Sequence, residues 1–314
     1  MPLTTSIALS RRSGGRLCFT LVCLAFALWN QAAFGQELSP RLFWPAPVGT
    51  KVLVMGYAHA SGDVLMDRSI PVYGVDSEID TALLGYVQTF NLWGRTANLL
   101  LELPYSWGST SGRIFDIPAQ RDFEGFNDPA VSMMINLVGA PALTPADFQD
   151  LRNNPRSLLG MRFKLVAPSG HYEIGRLINV GSNRWAARGD LGAVIPLHSK
   201  WLLELNAGVW FFGDDDDFVS GKREQDPIYS AELHLIRRFK PGFWASLDAN
   251  YFKGGRQTVG GRRYDDLQQN GRFGATIVIP FQRRHAIKFG YSTGTRTSYG
   301  SDYSQIVVSY QVLL

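Results

Sequence analysis

The chain has 314 residues, of which 45% are hydrophobic and 18% are charged, and its formal net charge is +4. Three arginines and no acidic residue lie in residues 1–35, so the rest of the chain has a net charge of only about +1. A nearly neutral chain offers no electrostatic basis for binding nucleic acid, and we expect no nucleic-acid partner.

The N-terminus has the pattern of a secretory signal peptide. The three arginines precede an apolar run over residues 17–28, and small residues at 33–35 form a cleavage-type site before Gln36. The apolar run is too short to span a bilayer. Both cysteines lie in this region, so the exported chain would contain no disulfide and would depend on its core or on a membrane for stability. We therefore predict a signal peptide over residues 1–35.

A proline-rich stretch follows the signal peptide. Residues 36–50 lack a regular pattern of apolar residues and precede the first alternating segment. We predict a periplasmic N-terminal segment here, followed by one folded domain over residues 51–314. The alternative, in which residues 36–49 enter the interior of that domain as a plug, stays open.

Alternation of apolar and polar residues recurs along residues 51–314, and it is typical of half-buried strands. In residues 201–212, for example, Leu203 and Leu205 alternate with Glu204 and Asn206. The pattern predicts twelve strands, at 51–60, 79–91, 96–105, 129–138, 157–167, 184–195, 201–212, 228–238, 243–252, 270–279, 285–293 and 302–314.

The connections between these strands alternate in length. Short turns follow most even-numbered strands, whereas long polar loops such as 106–128 and 213–227 follow the odd-numbered ones. This asymmetry is typical of outer-membrane barrels, which have long extracellular loops and short periplasmic turns. One periplasmic connection, residues 139–155, is longer, and Thr144 followed by Pro145 predicts that a short helix begins there.

The last stretch, Tyr303–Leu314, is amphipathic, and an unpaired strand of this kind would promote aggregation. Pairing it with the first strand closes a barrel. We therefore predict an all-β fold, a transmembrane antiparallel β-barrel of about 12 strands in the bacterial outer membrane. Both chain ends would lie in the periplasm, and membrane lipid, lipopolysaccharide and the barrel-assembly machinery would be its partners.

Charged residues recur on the face that we assign to the barrel interior. A charge on the lipid-facing side near the midplane would cost about 2–4 kcal/mol. These residues therefore indicate either a water-filled lumen or a network of paired charges. The lumen-lining candidates are Glu102, Arg162, Lys164, Arg188, Asp190, Glu204, His234, Asp248, Arg272 and Lys288, with Glu232 on the same face.

Few patterns point to other chemistry. The acidic run Asp214–Asp217 would bind a divalent cation or, as we favour, form a solvated loop tip. The five histidines are scattered and match no metal-binding motif, and we expect no metal site, no cofactor and no catalytic residue. A hydrolase in the barrel wall stays open as the weakest alternative.

The region 44–108 contains the most distinctive motifs. They are Trp44-Pro45-Ala46-Pro47-Val48-Gly49-Thr50-Lys51, Ser61-Gly62-Asp63-Val64, Thr89-Phe90-Asn91-Leu92-Trp93-Gly94-Arg95-Thr96-Ala97-Asn98 and Leu103-Pro104-Tyr105-Ser106-Trp107-Gly108. Together they resemble the bacterial family named for the meta-pathway of phenol degradation. The resemblance implies an outer-membrane transporter that admits small hydrophobic or aromatic compounds by passive diffusion. A structural barrel with a sealed lumen is the alternative.

Overall fold

The computed structural model describes residues 38–63, 73–114, 117–219, 221–297 and 302–314. The predicted signal peptide lies outside these residues. Within them, none of the helices is long and apolar enough to cross a membrane. The elements are β1 (Lys51–Asp63), β2 (Tyr73–Leu92), β3 (Arg95–Ile114), β4 (Ile117–Phe126), β5 (Ala130–Val138), α1 (Pro145–Asn153), β6 (Leu158–Val166), β7 (Ala186–His198), β8 (Trp201–Phe212), β9 (Arg223–Gln225), β10 (Ile228–Lys240), β11 (Phe243–Gly254), β12 (Gln257–Val259), β13 (Arg262–Arg263), β14 (Gln268–Pro280), β15 (His285–Thr297) and β16 (Asp302–Leu313).

Twelve antiparallel strands close into a barrel, as the sequence predicts. The wall runs β1, β2, β3, β5, β6, β7, β8, β10, β11, β14, β15 and β16. The final strand closes it by pairing with the first, from Val52 opposite Leu313 to Asp63 opposite Asp302. Closure leaves no unpaired edge, which is the condition for a sheet to cross a lipid bilayer.

The outer face of the wall is apolar and the inner face is polar. Leu205 and Leu247 are 39% and 52% exposed, whereas their neighbours Glu204 and Asp248 are 0% and 1% exposed. Exposed leucines on many strands would be unfavourable in water, but they match a lipid environment. The alternation in the sequence therefore assigned the two faces correctly.

The lipid-facing position of Leu247 leads to a stability prediction. Leu247→Arg is expected to lower the free energy of unfolding by about 2–4 kcal/mol, because the arginine would enter the apolar part of the bilayer. Tyr229→Arg, at the extracellular end of β10, is the matched control and should cost at most about 1 kcal/mol. Denaturant titration in lipid vesicles measures both. Equal costs at the two positions would contradict the placement of Leu247 near the membrane centre.

Helix α1 begins where the sequence predicts. The Thr144 hydroxyl accepts a hydrogen bond from the Asp147 backbone N–H, and the Asp147 carboxylate accepts one from the Thr144 backbone N–H. This capping box satisfies two backbone donors at the helix N-terminus. The pKa of Asp147 is lowered by its hydrogen bond from the Thr144 side chain. Phe148 and Leu151 are buried, so α1 packs with its apolar side against the periplasmic end of the barrel core.

The long extracellular connections contain strands of their own. Strand β4 pairs with the outer half of β3, from Tyr105 opposite Phe126 to Ile114 opposite Ile117. Strands β9, β12 and β13 form a separate small sheet beyond the barrel. The polar stretch 106–128, predicted as a loop, is therefore largely a β-hairpin that extends the wall outward.

Candidate functional site

The N-terminal segment lies inside the barrel. The backbone N–H groups of Arg41 and Phe43 donate to the Glu204 carboxylate at 2.8 and 3.3 Å, and the N–H of Ser39 donates to Glu232 at 3.1 Å. Phe43 and Trp44 are each 2% exposed. Residues 39–46 are thus not the plain periplasmic leader that we favoured from the sequence. They follow the alternative of a plug within the barrel.

Two glycines of the wall make room for this plug. A Cβ atom added at Gly192 would lie 2.1 Å from the Phe43 ring, and one at Gly160 would lie 2.4 Å from it. Both distances are far below van der Waals contact, so the plug fits only because these inward positions lack a side chain. The Asn136 side-chain amide also donates to the Phe43 carbonyl at 2.8 Å. The plug is therefore held by shape and by hydrogen bonds.

The predicted inward charges form a connected network. Arg188 donates to Asp190 and to Glu232, both at 2.8 Å, and Arg162 donates to the second oxygen of Asp190 at 2.8 Å. The side chains of all four residues are at most 5% exposed. Alternating positive and negative groups allow these charges to stay buried, since each carboxylate faces a cation.

The network continues through His234. Its ring nitrogens lie 3.2 Å from a Glu232 oxygen and 2.9 Å from an Asp248 oxygen. The Thr276 hydroxyl donates to the second Asp248 oxygen at 2.9 Å. This row of polar contacts runs from β6 to β14 across the inner wall, so it fills space that a water-filled pore would need.

The remaining predicted lumen residues lie on the same inner wall but in other contacts. Lys164 and Glu102 form a separate pair at 3.0 Å. Arg272 donates to the Ser292 hydroxyl at 2.7 Å and stacks on the Tyr303 ring, 3.9 Å from its centroid. Glu204 binds the plug, and Lys288 is buried at 4% exposure. The structure thus places all ten candidates in the interior, most of them paired rather than facing open water.

Removal of one buried cation should be costly. Arg188→Met is expected to lower the free energy of unfolding by about 3–5 kcal/mol, because Asp190 and Glu232 would each lose a buried partner. Arg263→Met serves as the control, since Arg263 pairs with Asp226 at 2.6 Å on the exposed surface and should contribute less than about 1 kcal/mol. Denaturant titration in vesicles provides both values. A cost for Arg188→Met no larger than that of the control would show that the network is dispensable.

The wall has a weak point between β3 and β5. Only six residue pairs join these strands, from Ala97 opposite Ile135 to Glu102 opposite Ala130. Beyond Glu102, strand β3 turns to β4 as its partner. This ladder is shorter than any other between neighbouring wall strands in the described part of the chain. We call the β3–β5 contact the seam.

An apolar groove lies over the seam on the outer face of the barrel. Its volume is about 560 Å³, and its walls include Leu84, Leu101, Leu103, Val131, Leu165 and Trp185. Glu102 also lines the groove, with Lys164 paired to it inside. The sequence did not reveal this groove, because the groove depends on which strands are neighbours and on where the β3–β5 ladder ends, and alternation along one strand contains neither.

The acidic run at the extracellular side is not entirely a solvated loop tip. Asp215 is fully buried, pairs with Arg223 at 3.0 Å and accepts a hydrogen bond from Asn183 at 2.8 Å. Asp214 is exposed, and its hydrogen bond with Lys222 raises the pKa of that lysine. Our interpretation was therefore wrong for Asp215. The described residues contain no cluster of His, Cys, Asp or Glu that could hold a metal ion.

A second extracellular contact fastens the connection between β6 and β7. The Arg121 guanidinium lies 2.8 Å from Glu173 and lowers the pKa of that carboxyl group. Asp128 accepts hydrogen bonds from the backbone N–H groups of Gly170 and Ser182, at 2.9 and 2.7 Å. The loop thereby folds over the outer end of the barrel beside the seam.

Comparison with known proteins identifies the family. The model of the family described as the MetA-pathway of phenol degradation matches residues 60–309. The chain belongs to this phenol-degradation family. No curated protein sequence gave a match.

Solved structures share the fold of this family member. An outer membrane channel from Pseudomonas putida F1 superposes with a TM-score of 0.71 at 21% identity, covering 90% of this chain and 100% of the channel. The transport unit of the Escherichia coli autotransporter AIDA-I superposes with a TM-score of 0.48 at 9% identity, covering 96% of this chain and 98% of the transport unit. The monoaromatic hydrocarbon channel CymD superposes with a TM-score of 0.41 at 7% identity, covering 85% of this chain and 89% of CymD. The superposition on the Pseudomonas putida channel shows that the phenol-degradation family member has the fold of an outer-membrane barrel, and we place it in the bacterial outer membrane.

Proposed function

We propose that this protein is a passive outer-membrane channel for small hydrophobic or aromatic compounds. The observation that carries this proposal is the apolar groove over the seam, beside a lumen filled by paired charges and by the plug. Membership of a phenol-degradation family and a fold shared with an outer membrane channel support it.

The route that fits these features leaves through the wall rather than along the whole barrel axis. A solute without charge gains little from a lumen of ion pairs, whereas an apolar groove of about 560 Å³ matches the size range of small-molecule sites. Among the wall ladders of the described residues, the short seam has the fewest residue pairs to separate. The solute would therefore pass between β3 and β5 and be released to lipid.

The partners and the absence of catalysis belong to the same proposal. Membrane lipid contacts the apolar outer face, and the solute occupies the groove. We propose that lipopolysaccharide surrounds the extracellular half and that the barrel-assembly machinery inserts the chain. We propose transport without catalysis, because the buried polar groups of the lumen contact one another and the plug rather than an open cleft.

Uptake by cells tests the transport proposal. A strain that lacks this protein should take up a radiolabelled aromatic compound more slowly than the parent strain at low solute concentration, where diffusion through the membrane is limiting. Re-expression of the protein should restore the rate. Unchanged uptake in the deletion strain at low concentration would refute the proposal.

A sealed structural barrel is the second candidate, and the plug favours it. The carboxylates of Glu204 and Glu232 accept three hydrogen bonds from the backbone of the plug, and these bonds fix the plug in the lumen. Sensitivity of the cell envelope to detergent would distinguish the candidates. A deletion strain with normal aromatic uptake but increased detergent sensitivity would favour the structural role.

A further inference from the structure

A basic pocket lies at the periplasmic rim of the barrel, on the side of the short turns. Its volume is about 260 Å³. Five cationic side chains line it, and among the residues that line it in the described part of the chain none is acidic. The cations come from the plug, the C-terminal end of α1, the β7–β8 turn and the end of β10, and they are Arg41, Arg152, Lys200, Arg238 and Lys240.

The central cation of this pocket is held in place by the backbone. The Arg238 guanidinium donates to the carbonyl oxygens of Arg152, at 2.9 Å, and Ser199. These two bonds use only two of the five N–H donors of the guanidinium group. An oriented guanidinium that still has an unused donor is suited to bind an anion.

Like charges converge on one ring in this pocket. The Arg41 and Arg238 guanidinium carbons lie 5.1 and 5.4 Å from the centroid of the same Trp44 ring. Both guanidinium groups are thus held at the pocket by the same aromatic side chain, and an anion bound there would be attracted by both. A phosphate group carries the charge and the oxygen geometry that guanidinium groups bind best.

We propose that this pocket binds a phosphate group. Phosphate is present at this rim in two forms, the headgroups of phospholipids in the inner leaflet and soluble phosphate esters in the periplasm. A bound phosphate would connect the plug, α1, the β7–β8 turn and the end of β10, because each supplies a cation to the pocket. The proposal does not depend on the transport function.

Calorimetric titration of the purified barrel in a neutral maltoside detergent tests the site. The probes are inorganic phosphate and a short-chain phosphatidylglycerol, each at several salt concentrations. Binding of both probes would show a site open to soluble phosphate, and binding of the lipid alone would show a headgroup site. Either result supports the proposal, whereas binding of neither would overturn it.

Three substitutions assign the binding to the pocket. Arg238→Gln is expected to weaken binding by about tenfold, as for the loss of one charge-assisted hydrogen bond. Lys240→Gln is at an exposed position, so it should leave the barrel folded and weaken binding by about threefold. Arg237→Gln is the matched control, because Arg237 stacks on Trp201 outside the pocket. Equal weakening by the control and by Arg238→Gln would mean that surface charge alone attracts the probe, and would overturn the proposal.

Discussion

Replacement of residues 39–46 by a glycine–serine segment of the same length is expected to raise the single-channel conductance by about tenfold, because the bulky side chains of the plug leave the lumen and only the paired charges of the wall remain there. The plug occupies that interior through Phe43 and Trp44, and the replacement removes both rings and leaves Glu204 accessible to water. Planar-bilayer recordings of the purified variant and the parent protein measure the change.

The control for this experiment lies just after the replaced residues. Val48→Ser alters an exposed residue outside the hydrogen bonds to Glu204, so the conductance should remain at the parent value. If the glycine–serine variant folds and its conductance is also that of the parent, the ion-pair network rather than the plug closes the lumen. Thermal denaturation in detergent establishes that the variant is folded.

A disulfide across the seam is expected to lower the uptake of a hydrophobic solute by about tenfold and to leave the barrel intact. Leu101 and Val131 are direct partners in the β3–β5 ladder, and cross-strand partners in antiparallel sheets lie at distances that a disulfide can span. No native cysteine lies in residues 36–314. Leu101→Cys with Val131→Cys would therefore form a single bond in the oxidising periplasm and prevent the seam from opening.

A second disulfide provides the matched control. Leu205 and Leu233 are partners in the β8–β10 ladder, also face lipid, and lie away from the seam. A bond at these positions should leave uptake unchanged. Addition of a reductant should restore uptake in the seam variant. If uptake is the same with the seam bond formed and reduced, the solute does not pass between β3 and β5, although the protein would still be a channel if deletion of the gene lowers uptake.

The two experiments separate the routes through the barrel. Water and ions would follow the axis, which the plug occupies, whereas an apolar solute would follow the seam. A protein whose conductance depends on the plug and whose solute uptake depends on the seam would use both routes independently.

The faces of the wall were predictable from the sequence because alternation is a local property. Each strand places successive side chains on opposite sides, so Glu204 and Leu205 reveal their environments without any knowledge of the neighbouring strands. The same applies to the start of α1, where Thr144 and Pro145 act on the first turn alone. The twelve strands and the inward position of the ten charged candidates follow from these local patterns.

The pairing of the charges required the tertiary structure. Arg188 contacts Glu232, which lies 44 positions further along the chain on another strand. The local pattern does not indicate which inward carboxylate an inward arginine contacts. The sequence therefore left a water-filled lumen and a paired network as equal alternatives. Register between strands decided the matter, because it sets which side chains face each other across the wall.

The sequence by itself determined that this protein is a closed sheet with an apolar exterior. Alternation of apolar and polar residues can be recognised from neighbouring residues alone. Only the tertiary structure decided where residues 39–46 lie and where the wall is weakest. The plug has no periodicity, and its position depends on glycines at 160 and 192, more than a hundred residues away. The seam exists because β3 pairs with β5 over its first part and with β4 over its second part. The sequence of a single strand does not indicate which strand will be its partner.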